Sequence, residues 1–149
     1  MVINNSSTPF IRAAARGGGS LATAENRVMA VADGRLYNAD ELDVPADVSL
    51  AQQLIILYER FGFTDALARI NGDFAAALFD AADETLWLGR DRVGHRPLYY
   101  VSNGERAAFC SQPRNLLEVP GVSSTVNRRW TAVFAGMHYR YFANAPQSD

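Results

Sequence analysis

A group of charged side chains stands out between residues 90 and 96. This segment contains Arg90, Asp91, Arg92, His95 and Arg96. Two interpretations are open: the cations could bind an anion, or the segment could be a structural loop with an internal ion pair. We favour the structural loop, because charged loops usually serve solvation and turn geometry.

Few other residues in the sequence have side chains that suggest catalysis or metal binding. Cys110 is the single cysteine, which excludes an internal disulfide and a CxxC metal or redox pair. Free cysteines are usually buried like small hydrophobic residues, and we expect this for Cys110. The two histidines, His95 and His138, have no clustered carboxylates around them, so the sequence predicts no metal site.

Length and composition indicate one globular domain. The chain has 149 residues, of which 48% are hydrophobic and 20% charged. Its net charge of -2 gives no support for binding to nucleic acid or to a membrane surface, both of which favour basic patches. No stretch resembles a signal peptide or a membrane span, so a cytoplasmic location is the default expectation.

Several segments have the pattern of β-strands. Residues 27–32 alternate and are rich in valine, which favours a strand. The Asp33-Gly34 pair that follows predicts a tight hairpin turn, because glycine readily adopts the positive φ of such a turn. Residues 35–37 would form the returning strand. Further strands are expected over residues 73–80, 85–89, 98–102 and 107–110.

The clearest predicted helix covers residues 49–61, where apolar side chains recur at helical spacing. Ser49 and Gln52 form a capping-box pattern at its start, and Gly62 suits its end. Shorter helices are expected over residues 65–69, with Thr64 as cap, and over residues 111–117. Strands joined by short turns, with helices in the middle and at the end, indicate an α+β layered domain.

The last predicted helix, over residues 127–141, has a single apolar stripe. The stripe could pack on the domain's own sheet or against another protein segment. Its members lie at i, i+3, i+4, i+7 and i+11 and are Trp130, Val133, Phe134, Met137 and Tyr141.

Motifs in the middle of the chain resemble those of class II glutamine amidotransferase domains of asparagine synthetases. Residues 88–100 (LGRDRVGHRPLYY) are similar to the family's LARDRFGIKPLYY, and residues 70–80 (INGDFAAALFD) to its LNGMFAFALWD. Residues 33–38 (DGRLYN) resemble NGEIYN, and residues 49–62 resemble the helix of SDTEVILHLYEEYG. The resemblance covers about residues 27–125. Its structural motif positions are Asn71, Gly72, Arg90, Asp91, Arg92, Gly94 and Pro97.

This resemblance implies a four-layer αββα sandwich of the N-terminal-nucleophile (Ntn) hydrolase type, with two stacked antiparallel sheets. It also implies three regions: an irregular segment over residues 1–26, a glutaminase-like core over residues 27–125, and a linker helix over residues 126–149. The linker would lead towards a synthetase domain. ATP and Mg are expected only in that domain, since this chain contains no SGGLDS-type loop and no P-loop.

Several positions depart from the family's catalytic pattern. The family uses an N-terminal cysteine as nucleophile, whereas position 2 is Val2. The asparagine of NGEIYN, part of the oxyanion hole, is replaced by Asp33, followed by Gly34 and then by Arg35 in place of glutamate. The aspartate of SDTE, which holds the substrate amine, aligns with Leu50. We therefore expect these positions to be a vestigial pocket with no catalytic residue.

The resemblance thus predicts a non-catalytic domain that supports an ATP-dependent amide-forming domain, in cis or in trans. β-Lactam synthetases and lasso-peptide cyclases are similar in retaining such a domain without its nucleophile. The alternatives are an active glutamine amidotransferase with an unrecognised nucleophile and a free-standing small-molecule-binding module. A homodimer is possible. The helix face expected to meet the partner comprises Trp130, Phe134, Met137 and Tyr141.

Overall fold

The computed structural model describes residues 2–4, 19–25, 27–102 and 106–136. Two antiparallel sheets contain the strands of this part of the chain. The first has five strands in the order β1-β5-β4-β3-β2 and the second has two, β6 and β7. Their bounds are β1 (Val2–Asn4), β2 (Ser20–Ala24), β3 (Val28–Leu36), β4 (Gly72–Asp80), β5 (Thr85–Arg90), β6 (Tyr99–Ser102) and β7 (Ala107–Cys110).

The predicted hairpin turn at Asp33-Gly34 is wrong. β3 runs straight through this pair, and its residues pair with β4 from Val28 opposite Asp80 to Leu36 opposite Gly72. Gly34 does have a positive φ, +120°, but for a different reason. A Cβ at this position would collide with the backbone carbonyl of Asp73 on the neighbouring strand. The glycine therefore permits close strand pairing and does not reverse the chain.

The first 26 residues are not wholly irregular, which corrects the sequence expectation for this segment. β1 pairs with β5 at one edge of the first sheet, and β2 pairs with β3 at the other. Neither strand has a sequence pattern strong enough to mark it, since β1 has three residues and β2 has five.

The predicted main helix is confirmed as α1 (Leu50–Phe61). Ser49 and Gln52 form the complete capping box, and Gly62 ends the helix with φ +74°. The next helix, α2 (Phe63–Arg69), starts directly after Gly62 and has no side-chain cap, so the cap predicted at Thr64 is wrong. A 3₁₀ helix (Pro113–Glu118) and α3 (Arg128–Gly136) follow in the second half of the chain.

The predicted α+β class with two stacked antiparallel sheets, of the Ntn type, is confirmed. α1 and α2 cover one face of the first sheet, where Leu54, Ile55 and Phe63 pack with Ala30 and Leu78. The second sheet covers part of the other face, and the 3₁₀ helix packs against β6 and β7. The cluster between the two sheets consists of Ala77, Leu86 and Leu88 with Phe79, Leu98, Ala107 and Phe109.

None of the described helices is long and apolar enough to cross a membrane. α3 confirms the start of the predicted terminal helix and buries none of its residues. Met137 and Tyr141, two members of the predicted apolar stripe, lie outside the described residues. The proposed division into three regions stays a prediction.

The close approach of β3 and β4 makes Gly34 sensitive to substitution. We expect Gly34→Ala to lower the free energy of unfolding more than Gly62→Ala, measured by denaturant titration. Both substitutions place alanine at a positive φ, which costs about 1–3 kcal/mol. A Cβ at Gly62 has open space around it, whereas one at Gly34 meets the backbone of β4. Equal losses for the two variants would contradict the packing argument.

Candidate functional site

A cleft of about 430 Å³ opens between the first sheet and the segment formed by β7 and the 3₁₀ helix. One row of paired residues on this face of the sheet shows why it is open: Leu21, Val31, Ala77 and Leu88. Ala77 and Leu88 are buried under the second sheet, Val31 is half-buried, and Leu21 is 48% exposed. The second sheet therefore covers β4 and β5 but leaves β3 and β2 partly uncovered.

The cleft has a floor of small apolar residues and a more polar rim. Because Asp33 is two residues from Val31 on β3, it lies on the same open face of the sheet. The lining residues are Gly19, Val31, Ala32, Asp33, Ala75, Ala76, Ala77, Pro97, Leu98, Phe109, Cys110, Ser111, Asn115 and Glu118.

Arg96 joins two carboxylates beside the cleft. One of its guanidinium nitrogens lies 3.4 Å from Oδ2 of Asp33, and the other lies 3.4 Å from Oδ2 of Asp73. Arg35 approaches the other oxygen of Asp73, with Nε at 3.6 Å. Burial raises the pKa of Asp73, but the Tyr37 hydroxyl and the guanidinium groups of Arg96 and Arg35 outweigh it and lower the pKa.

The charged segment at residues 90–96 is organised around the buried carboxylate of Asp91. Its Oδ1 accepts the backbone N–H groups of Gly94 and His95, the latter at 2.9 Å, and its Oδ2 accepts that of Arg96 at 3.0 Å. Burial disfavours the charged form, yet the backbone donors of Arg96, His95 and Gly94 prevail and lower the pKa of Asp91 to about 2. Asp91 thus fixes the loop that presents Arg96 to the sheet.

Two further contacts shape this loop and the start of β4. The Arg90 guanidinium lies where a Cβ on Gly94 would stand, so Gly94 leaves room for it. The backbone N–H of Asn71 donates to Oδ1 of Asn38 at 2.9 Å, and Nδ2 of Asn38 donates to the Arg69 carbonyl at 3.0 Å. Gly72 pairs closely with β3. A Cβ at this position would strike the backbone carbonyl of Arg35, so the close pairing depends on glycine.

The structure brings only part of the predicted vestigial pocket together. Asp33 lines the cleft, whereas Gly34, Arg35 and Leu50 are not among its lining residues. Leu50 is buried in the core between α1 and the sheet. The Arg35 guanidinium lies 5.1 Å from the centre of the Tyr37 ring. Of the predicted structural motif residues, Pro97 reaches the cleft, and Arg92 is exposed.

Cys110 is half-buried, so the expectation of a buried small hydrophobic residue is wrong. Its thiol donates to the Gln112 carbonyl with an Sγ–O distance of 2.9 Å, and the residue lines the cleft. Sequence reasoning also missed Ser111, Asn115 and Glu118 as cleft residues. No local pattern marks them, because they line the cleft with residues of β3 and β4 that are distant in the sequence. Within the described residues, no group of three or more His, Cys, Asp or Glu side chains could hold a metal ion.

Comparison with known proteins identifies the family of this chain. A family described as "Glutamine amidotransferase domain" matches residues 9–148, and the chain belongs to this family. A putative asparagine synthetase [glutamine-hydrolyzing] 2 of Methanocaldococcus jannaschii is 29% identical over 111 residues, covering 71% of this chain and 21% of the relative. A putative asparagine synthetase [glutamine-hydrolyzing] of Mycobacterium bovis is 27% identical over 138 residues, covering 85% and 20%. The chain spans about a fifth of the length of these curated relatives.

The low pKa of Asp91 predicts a pH-dependent contribution to stability. Its folded pKa of about 2 lies below the ordinary value of 3.8, so the contribution is fully present above about pH 4. It is lost as the pH falls through 2, when the carboxylate is protonated. We expect Asp91→Asn to lower Tm near neutral pH, because an amide cannot accept three N–H donors as well as a carboxylate.

Thermal unfolding of the wild type and Asp91→Asn between pH 7 and pH 2 measures this effect. The difference in Tm should be constant above about pH 4 and should shrink as the pH falls towards 2. Asp47→Asn, at an exposed position, is the matched control and should show little difference at any pH. A constant difference for Asp91→Asn down to pH 2 would contradict the assignment.

Proposed function

We propose that this glutamine amidotransferase domain does not hydrolyse glutamine and that it supports an ATP-dependent amide-forming domain of an asparagine-synthetase-like protein. The single observation that carries the first part is the pairing of Asp33 with Arg96. The relatives' names describe glutamine-hydrolysing asparagine synthetases, of which this chain matches about a fifth. The activity of a longer protein therefore belongs to the proposal.

The charge of Asp33 opposes hydrolysis of an amide at this site. Attack on an amide carbonyl develops negative charge on its oxygen, which an oxyanion hole stabilises with hydrogen-bond donors. An ionised aspartate has no donor to offer and repels that charge. The positive charge of Arg96 does not offset this repulsion, because Arg96 shares that charge with the carboxylates of Asp33 and Asp73.

The remaining groups of the cleft do not assemble an alternative hydrolytic site. A catalytic thiol needs a nearby base, and among the described residues that line the cleft with Cys110 there is neither His nor Lys. The Cys110 thiol instead donates to a backbone carbonyl. Leu50, at the position that resembles the family's amine-binding aspartate, packs in the core and offers no charge.

Glutaminase assay of the chain tests the first part of this proposal. With L-glutamine as substrate, we expect ammonia release indistinguishable from that of a heat-treated sample. A glutamine analogue that alkylates catalytic nucleophiles should leave the intact mass unchanged. Glutamine-dependent ammonia release that heating abolishes would overturn the proposal.

The support role is tested on α3, whose residues are all unburied within the described part of the chain. Val133 lies on the apolar stripe and is 39% exposed. Ala135 lies on the same helix face as Arg128, seven residues away, and like Val133 it is exposed to solvent. We expect the chain to co-elute on gel filtration with a separately expressed synthetase domain. Val133→Glu should weaken this association, because it places a charge in an apolar interface.

Ala135→Glu is the matched control, since it adds the same charge to the same helix outside the stripe. It should co-elute like the wild type, and circular dichroism should show both variants folded. Equal weakening by the two variants would contradict a role for the stripe. Absence of any association with the wild type would contradict the support role itself.

A further inference from the structure

We propose that the cleft binds a small organic cation, namely a primary amine with an apolar body and without an α-carboxylate. The inference rests on the proposed function in one respect: the ligand occupies the cleft without being hydrolysed. Three observations support it: the charges of the described lining residues, the absence of partners among the described residues for the side chains of Ser111, Asn115 and Glu118, and the apolar floor.

The charges among the lining residues have a single sign. Among the lining residues that the structure describes, Asp33 and Glu118 are the two charged ones, and none is a Lys or Arg. Arg96 contacts Asp33 through Oδ2 and shares its charge with Asp73, so it does not neutralise both carboxylates of the cleft. No residue of the described part of the chain forms an ion pair or a hydrogen bond with the Glu118 side chain.

The neutral polar groups of the rim are also available. The side chains of Ser111 and Asn115 have no hydrogen-bond partner among the described residues. Each offers an acceptor oxygen, as does each carboxylate. An ammonium group is a compact cation with three donors, and it suits a rim of free acceptors better than any anion does.

The apolar floor of the cleft determines which ligand body, apart from the ammonium group, fits there. It is formed by Val31, Ala75 and Ala77, with Leu98 and Phe109 at the side, and a volume of about 430 Å³ lies within the range of small-molecule sites. Such a surface takes an aliphatic or aromatic body. A ligand α-carboxylate would meet Asp33 and Glu118, and no cation among the described lining residues would hold it, so amino acids are disfavoured.

Binding of matched probes to the whole 149-residue chain tests this inference. The probes are pentylamine, norleucine, which is pentylamine with an α-carboxylate, and 1-pentanol, which lacks the ammonium group. Titrations at equal ionic strength are followed by backbone amide chemical shifts. Pentylamine should shift residues of the cleft, including Ser111 and Asn115, and should bind about tenfold more tightly than the other two probes.

Two variants and one control locate the site. Glu118→Gln and Asp33→Asn should each weaken pentylamine binding about three- to fivefold, as expected for a partly exposed ion pair. Glu59→Gln, on the exposed side of α1 away from the cleft, changes the net charge equally and should bind like the wild type. Amide shift patterns of the free variants establish that they remain folded.

Three outcomes would overturn the inference: no shifts in the cleft with pentylamine, equal binding of norleucine or 1-pentanol, or equal weakening by Glu59→Gln. Its failure is distinct from failure of the proposed function, which ammonia release decides. Glutamine turnover would sink the proposed function even if pentylamine bound. Absence of pentylamine binding without turnover would sink only the inference.

Discussion

The buried carboxylate of Asp91 fixes how the two sheets are joined. Its backbone N–H donates to the Phe74 carbonyl on β4 at 2.8 Å, and its side chain accepts three N–H groups of the loop that follows. A carboxylate with this many backbone donors stays ionised in a buried position because the donors replace its hydration. The path of the chain from β5 into β6, and with it the position of Arg96, depends on this one group.

Arg96 in turn determines the electrostatics beside the cleft. It is held by the loop on one side and by two carboxylates on the other, Asp33 from β3 and Asp73 from β4. In the family pattern, the positions of Asp33, Asp73 and Arg96 resemble an asparagine, a methionine and a lysine. In this chain two acidic side chains therefore surround the Arg96 guanidinium. Arg35 approaches the other oxygen of Asp73 and extends this group of ion pairs.

The sequence allowed prediction of those features that local patterns determine. The start of α1 is marked by a capping box whose two residues, Ser49 and Gln52, are three positions apart. The sequence motifs of β4 and β5 likewise lie in continuous segments of the chain. The prediction of a hairpin turn at Asp33-Gly34 failed because the same residue pair suits both a turn and the close pairing of two strands. Only the close approach of Gly34 to Asp73 on the neighbouring strand distinguishes the two. The contact between Asp33 and Arg96 spans 63 residues. The cleft depends likewise on distant packing, so its residues on the 3₁₀ helix had no signal.

The cleft is a consequence of unequal sheet widths. A two-stranded sheet packed on a five-stranded one buries Ala77 and Leu88 but cannot reach the paired positions Val31 and Leu21 in the same row. Apolar surface left open beside polar groups suits a ligand of mixed character better than it suits water alone. Because Asp33 lies two residues from Val31 on the same face of the sheet, its carboxylate adds negative charge to this open surface. The proposed absence of glutamine hydrolysis and the proposed ligand preference of the cleft therefore both depend on Asp33.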